Sequence, residues 1–229
     1  MQRRKFTSGV VSLGGLWALA GSAEAAALSE GDATLGVRGA LERGAIAAVG
    51  LLGKSGGFLD NPKVRIPLPG FLNDAAQLLK VTGQQKRVDE LVTAMNRAAE
   101  AAVPEAKALL VSAVKALSVS DATRLIRGGE NSVTEFFAEK TRAPLGVKFL
   151  PIVTQATEKV SLADKYNRVA GKASGFGLVK KEDANVQQYV TRKALDGLYL
   201  MIGEEERKIR ADPVGTGSAI LGKVFGALK

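Results

Sequence analysis

The 229-residue chain contains no cysteine and no histidine. These absences exclude a disulfide, a thiolate nucleophile, a Cys/His zinc site and an axial-histidine haem. A Ser-His-Asp triad cannot be assembled either. Aromatic residues are only 5% of the chain, and the one tryptophan is Trp17, so side chains that favour strands are scarce. Ala, Leu, Val and the charged helix formers are plentiful instead, in a composition 46% hydrophobic and 24% charged. That mixture favours helices, and the length suits one core. The expected fold is all-α, a compact bundle of about eight helices around a buried C-terminal helix, with one long Pro/Gly-containing apolar loop.

Residues 1–25 read as an export signal peptide. Arg3, Arg4 and Lys5 form a basic start, residues 9–21 are apolar and uncharged but short for a bilayer span, and Ala23-Glu24-Ala25 offers a small-x-small cleavage pattern. Arg3-Arg4-Lys5-Phe6 also fits a twin-arginine signal, with a general secretory signal as the other reading. The expected location is periplasmic or secreted, with residues 26–229 as a single helical domain. No cysteine stands at the cleavage pattern to carry a lipid.

Charge is unevenly spread. The chain carries 32 basic and 23 acidic residues, yet residues 26–139 and 194–229 are each balanced. Residues 140–193 hold 11 basic and 4 acidic. A concentrated excess of this kind attracts an anionic partner.

Helical spacing places a first helix from an Asp32 cap to Leu52, with Leu35, Leu41, Ala45, Val49 and Leu52 inward and Gly53 ending it. Residues 53–69 hold Pro62, Pro67, Pro69 and three glycines beside Phe58, Leu59, Val64, Ile66 and Leu68. Such an apolar loop must pack across the bundle or form a lid over a groove. A short helix is expected at 71–81, and a long tract from Lys86 to Leu117 kinked or divided at Pro104. Its stripe is Leu91, Met95, Ala98, Ala102, Leu109 and Ala113. Ser120 is expected to cap a helix ending at Arg127, Asn131 or Ser132 the next, and Pro144 to open another. A helix at 161–173 capped by Ser161 precedes the Gly175-Phe176-Gly177 linker. The central helix spans 184–210, apolar nearly all round at 194–202, and Asp212-Pro213 stops it before a last amphipathic turn at 220–225.

Several sites can be weighed from residue types. Gly53-Lys54-Ser55 lacks the earlier glycine and preceding strand of a phosphate loop, since Ala48 stands five residues before Gly53. Glu204-Glu205-Glu206 point in different directions on a helix and read as a solvated face. Asp196 interrupts the apolar run and is expected to be buried, with Lys193, Arg97 or Arg127 as its cationic partner. Arg97, Glu100, Arg127, Lys193 and Asp196 thus form a candidate buried polar cluster. Lys165, Arg168 and Lys172, three and four apart, form a candidate surface for an anionic partner, with Leu162, Tyr166 and Val169 turned to the bundle. Too few aromatics interleave the basic residues to suggest nucleic acid.

Four motifs remain: Gly57-Phe58-Leu59-Asp60-Asn61-Pro62 with Val64-Arg65-Ile66-Pro67-Leu68-Pro69; Met95-Asn96-Arg97-Ala98-Ala99-Glu100-Ala101-Ala102-Val103-Pro104; the Arg127-Gly128-Gly129 turn; and Tyr189-Val190-Thr191-Arg192-Lys193-Ala194-Leu195-Asp196-Gly197-Leu198. On these the chain resembles the domain of unknown function 4197 family, over essentially all of residues 26–229. The resemblance implies a helical domain of bacterial secreted or envelope proteins and implies no activity. Some members look like lipoproteins with a cysteine at the cleavage site; this chain has none there, so a lipid anchor does not carry over. The functional expectation is a non-enzymatic envelope protein binding an anionic or amphipathic partner: anionic lipid, lipopolysaccharide or a small hydrophobic ligand. The alternatives are a structural or assembly role and a hydrolase-type enzyme using carboxylates. No metal and no other cofactor is expected.

Overall fold

The structure, a computed structural model, describes residues 30–72, 77, 81–177, 179–180 and 183–212. The expected export signal and the amphipathic turn at 220–225 lie outside those residues, as does most of the helix expected at 71–81. Among the described residues the chain is all-helical with no strand. Its α-helices are α1 (Glu30–Leu52), α2 (Gln85–Ala102), α3 (Ala106–Lys115), α4 (Val119–Arg127), α5 (Ser132–Thr157), α6 (Ser161–Gly175) and α7 (Val186–Ala211). Short 3₁₀ turns occupy Gly70–Leu72 and Val103–Glu105.

The expected break at Pro104 is present: Pro104 cannot donate into the ladder, and the 3₁₀ turn around it separates α2 from α3. The turn also resets the buried stripe. Leu91, Met95, Ala98 and Ala102 are inward as expected, but beyond the turn Ala106, Leu110 and Val114 are buried while Leu109 and Ala113 are only partly so. Pro144 does not begin a helix. Both Pro144 and Pro151 lie inside α5, which runs through them. Both are exposed, so the carbonyls that lose an N–H partner can be hydrated. Two expected helices are therefore one, and among the described residues the expected count is slightly high.

Helix starts depart from expectation in three places. Asp32 lies within α1, whose inner face is Val37, Ala40, Leu41, Ala45, Val49 and Leu52, with Leu35 62% exposed. The cap of α4 is Ser118, in a reciprocal capping box with Asp121, rather than Ser120. Val160 occupies the cap position of α6, and Ser161 is its first residue.

As expected, α7 is the axis of the bundle. It packs on α1, α2, α5 and α6, and buries Tyr189, Val190, Ala194, Leu198, Met201 and Ile202 on several sides. The longest contact is with α5. There Thr141 meets Tyr199 and Arg142 meets Asp196, so the two helices run antiparallel.

Candidate functional site

The five residues expected as one buried polar cluster do not form one: Arg97 pairs with Glu100, Asp196 pairs with two other arginines, and Arg127 and Lys193 join neither. The first pair holds the apolar loop. Glu100 is 5% exposed, and its Oε1 accepts the N–H groups of Phe58 and Leu59, each at 3.0 Å. Its Oε2 accepts from Arg97 at 2.6 Å. Burial pushes the Glu100 carboxyl up, but the Leu59 and Phe58 N–H groups and the Arg97 guanidinium outweigh it and hold the group below its usual range. One turn earlier, buried Asn96 clamps Ile66 from both sides: its Oδ1 accepts Ile66 N at 2.8 Å, and its Nδ2 donates to Ile66 O at 2.9 Å. Tyr189 donates to Pro67 O at 2.9 Å. Phe58, Val64 and Ile66 are in the core. A Cβ on Gly197 would come within 2.8 Å of the Phe58 ring, so the missing side chain makes the loop's seat. The segment 53–69 is therefore core packing rather than a lid. Three of the four motifs carrying the family resemblance meet in this clamp.

The second group surrounds Asp196, which is not buried. Its side chain is 41% exposed, because it lies on the α7 face turned toward the rim of α5. Its cationic partners are Arg142 at 2.9 Å and Arg192 at 3.4 Å, not Lys193, Arg97 or Arg127. Arg192 also reaches Asp183 at 2.5 Å. The two guanidiniums stand over aromatic rings, Arg142 at 4.8 Å from the Tyr199 centroid and Arg192 at 5.6 Å from that of Tyr189. Burial alone would lower the Arg192 pKa, but Asp183 and Asp196 raise it overall. Burial pushes the Tyr189 phenol up to about 12. Arg127 is exposed and Lys193 half-buried, and neither joins the pair.

One carboxylate read as solvated is internal. Glu206 is 4% exposed and accepts the Val133 and Thr134 N–H groups at 3.1 and 3.0 Å, with Arg210 at 2.9 Å. It supplies the acceptor that the first turn of α5 needs and that Asn131 does not provide. The signal was available: Glu206 stands four and seven residues after buried Ile202 and Tyr199, on the inner face.

Lys165, Arg168 and Lys172, the residues expected to meet an anionic partner, lie on α6. Helix α6 buries Ala163, Tyr166 and Ala170, with Tyr166 edge-on to Phe71 at 6.1 Å. Asn167 fixes it to the start of α7, its Oδ1 accepting Val186 N at 2.8 Å. On the opposite side Lys165, Arg168 and Lys172 are all exposed, bordered by exposed Asp164. Val169 does not bind the bundle: four residues after Lys165 it shares the basic side and is 51% exposed. Phe176, just past the helix end, is 81% exposed. Gly177 at φ 73 closes the end of α6 in the left-handed region, its N–H donating to Ser174 O at 3.0 Å, and leaves Phe176 at the tip. The helix thus carries three cations and exposed Val169 on one side and exposed Phe176 at its end, which the charge count alone did not reveal.

The profile of the family described as "Protein of unknown function (DUF4197)" matches residues 27–226. No curated protein matches the chain, and no solved structure does.

Proposed function

We propose that this chain, which belongs to the DUF4197 family, is a non-enzymatic envelope protein that docks on an anionic lipid surface through α6. The observation carrying the reading is the exposed side of α6 that bears Lys165, Arg168, Lys172 and Val169 and ends at exposed Phe176. Each cation near such a surface contributes about 1 kcal/mol, so three give roughly a hundredfold. Phe176 at the tip adds interfacial burial, and full burial of such a ring is worth about 1.5–3 kcal/mol. The electrostatic part falls with salt, since screening at physiological ionic strength sets in over about 8 Å. The basic start and the Ala23-Glu24-Ala25 pattern support export, which would place this face opposite lipid and lipopolysaccharide phosphates.

The test is co-sedimentation with vesicles of phosphatidylcholine, with and without phosphatidylglycerol, at low salt. The expected result is binding only to the anionic vesicles, lost on Lys165→Glu/Arg168→Glu/Lys172→Glu. Equal partitioning to both vesicles, or a triple variant that binds as the parent does, would overturn the reading.

A further inference from the structure

Helix α5 leaves one side bare. Toward the bundle it buries Phe137, Thr141, Leu145, Phe149 and Val153, and it packs on α2, α3 and α7. Lys140, Pro144, Val147, Pro151 and Glu158 are exposed on the other side, with Thr154 half-buried among them. Val147 is 76% exposed, and neighbouring Leu150 38%. From Ala143 to Pro151 the helix has one charge, Lys148. Apolar side chains gathered on one exposed side mark an interaction surface.

The spacing shows how that surface can be covered. Lys140, Pro144, Val147, Pro151, Thr154 and Glu158 follow one another at intervals of four and three, as the inward positions of a coiled coil do. At 3.6 residues per turn all six stay within about 80° of one another. Glu158, at the C-cap, keeps helical angles (φ -57, ψ -29), so it continues the stripe. Thr154 donates its hydroxyl to Leu150 O at 2.8 Å, which leaves no hydroxyl proton to satisfy across a contact. The stripe is therefore apolar in the middle, basic at one end and acidic at the other.

The charges select the occupant. Lys140 and Glu158 each lie nine residues from position 149. A second copy turned antiparallel about that point sets its Glu158 against Lys140, its Thr154 against Pro144 and its Pro151 against Val147. Two-fold symmetry repeats every contact, so both charged ends are matched. Within its own chain Lys140 pairs with adjacent Glu139 at 2.9 Å, but both side chains are more than half exposed and the pair is easily exchanged. We propose that this side of α5 joins the same side of a second copy, forming an antiparallel dimer. From Lys140 to Glu158 the seam is about 27 Å long at the helical rise of 1.5 Å per residue. One helix on one helix falls well short of the roughly 800 Å² per partner in a standard interface, so the dimer is weak, with a Kd of about 0.1–1 mM. The Lys140 and Val147 carbonyls, which lose an N–H donor to Pro144 and Pro151, keep their water at the edges of so narrow a contact. The α6 face plays no part in this contact, and the two readings stand or fall separately.

Sedimentation equilibrium of the full chain, without lipid and at low salt, tests this from about 10 μM to about 1 mM. The expected result is a reversible monomer–dimer equilibrium, lost on Val147→Asp. Lys140→Glu alone, or Glu158→Lys alone, turns two attractions into two repulsions and should weaken pairing roughly tenfold. Mixing those two variants should restore it, because each then offers the charge that the other lacks. The double variant Lys140→Glu/Glu158→Lys should pair as the parent does, and so should Lys165→Glu/Arg168→Glu/Lys172→Glu. The substituted positions are exposed, and circular dichroism melts confirm that each variant is folded. A parent that stays monomeric at about 1 mM, or a dimer that survives Val147→Asp, would end the proposal. Single reversals that pair like the parent, or a mixture that does not recover, would overturn the antiparallel register. Loss of pairing in the α6 triple variant would place the contact elsewhere.

Discussion

Glu100→Ala should unfold the loop clamp selectively. The carboxylate is 5% exposed and one oxygen, Oε1, takes both the Phe58 and the Leu59 N–H at 3.0 Å. Alanine leaves both donors without an acceptor, one of them on the fully buried Phe58. Each buried donor so stranded costs about 1–3 kcal/mol, so the pair costs roughly 3–4 kcal/mol. In a domain of this size 1 kcal/mol is worth about 2–4 °C in Tm, which makes the expected drop about 10 °C. Glu100→Gln separates the acceptor from the charge. It keeps an oxygen where Oε1 stands and loses only the bond from Arg97, whose side chain is 42% exposed. That partly solvated pair is worth about 1 kcal/mol or less, so Tm should fall by only about 3 °C. Acid adds a second arm. The native carboxyl titrates below its ordinary 4.5, so ionised Glu100 stabilises the fold above that pH. The contribution disappears as pH falls through the lower native value. Circular dichroism melts between about pH 3 and 7 should therefore show the parent losing more stability in acid than Glu100→Gln does. A Glu100→Ala Tm within two degrees or so of the parent would refute the clamp. Equal damage from Ala and Gln would show that the charge, not the placed acceptor, matters.

Gly197→Ala forces a methyl within 2.8 Å of the Phe58 ring and 3.2 Å of Val64 Cβ; it should cost about 1–3 kcal/mol by denaturant titration, partly recovered when Phe58→Leu is added. Asp196→Ala should cost less than about 1 kcal/mol, because the carboxylate is half-solvated and both arginines can be rehydrated; a loss of several kcal/mol in the same titration would show an interior pair. Thr191→Val removes a buried hydroxyl with no partner, and should raise stability by about 1 kcal/mol. A melt showing Thr191→Val clearly destabilised would mean that the hydroxyl is satisfied in solution.

How much of this was legible depended on which neighbours a residue's partner came from. The central helix and the buried loop announced themselves locally: nine apolar-rich residues at 194–202, and Phe58, Val64 and Ile66 among prolines that forbid a helix. The Pro104 division followed from one missing N–H. Asp196 was misplaced because an apolar run along one helix does not say which side its neighbour leaves open; Arg142, 54 residues away, decides that. Pro144 misled for the same reason, since a proline on a solvent-facing side of α5 is tolerated where a buried one would not be. Glu206 and the Ser118–Asp121 box were readable, the first from its spacing to Tyr199 and Ile202, the second from a serine and an aspartate three apart.

The docking claim is tested most directly at the tip of α6. Trp17 is the chain's one tryptophan, so Phe176→Trp on a Trp17→Phe background places a lone indole where Phe176 is now 81% exposed. The account predicts water-like emission in buffer and with phosphatidylcholine vesicles. With phosphatidylglycerol vesicles at low salt it predicts a blue shift, quenching by brominated acyl chains, and reversal of both by added salt or by Lys165→Glu/Arg168→Glu/Lys172→Glu. Emission that stays water-like on anionic vesicles, or shifts equally on neutral ones, would contradict it.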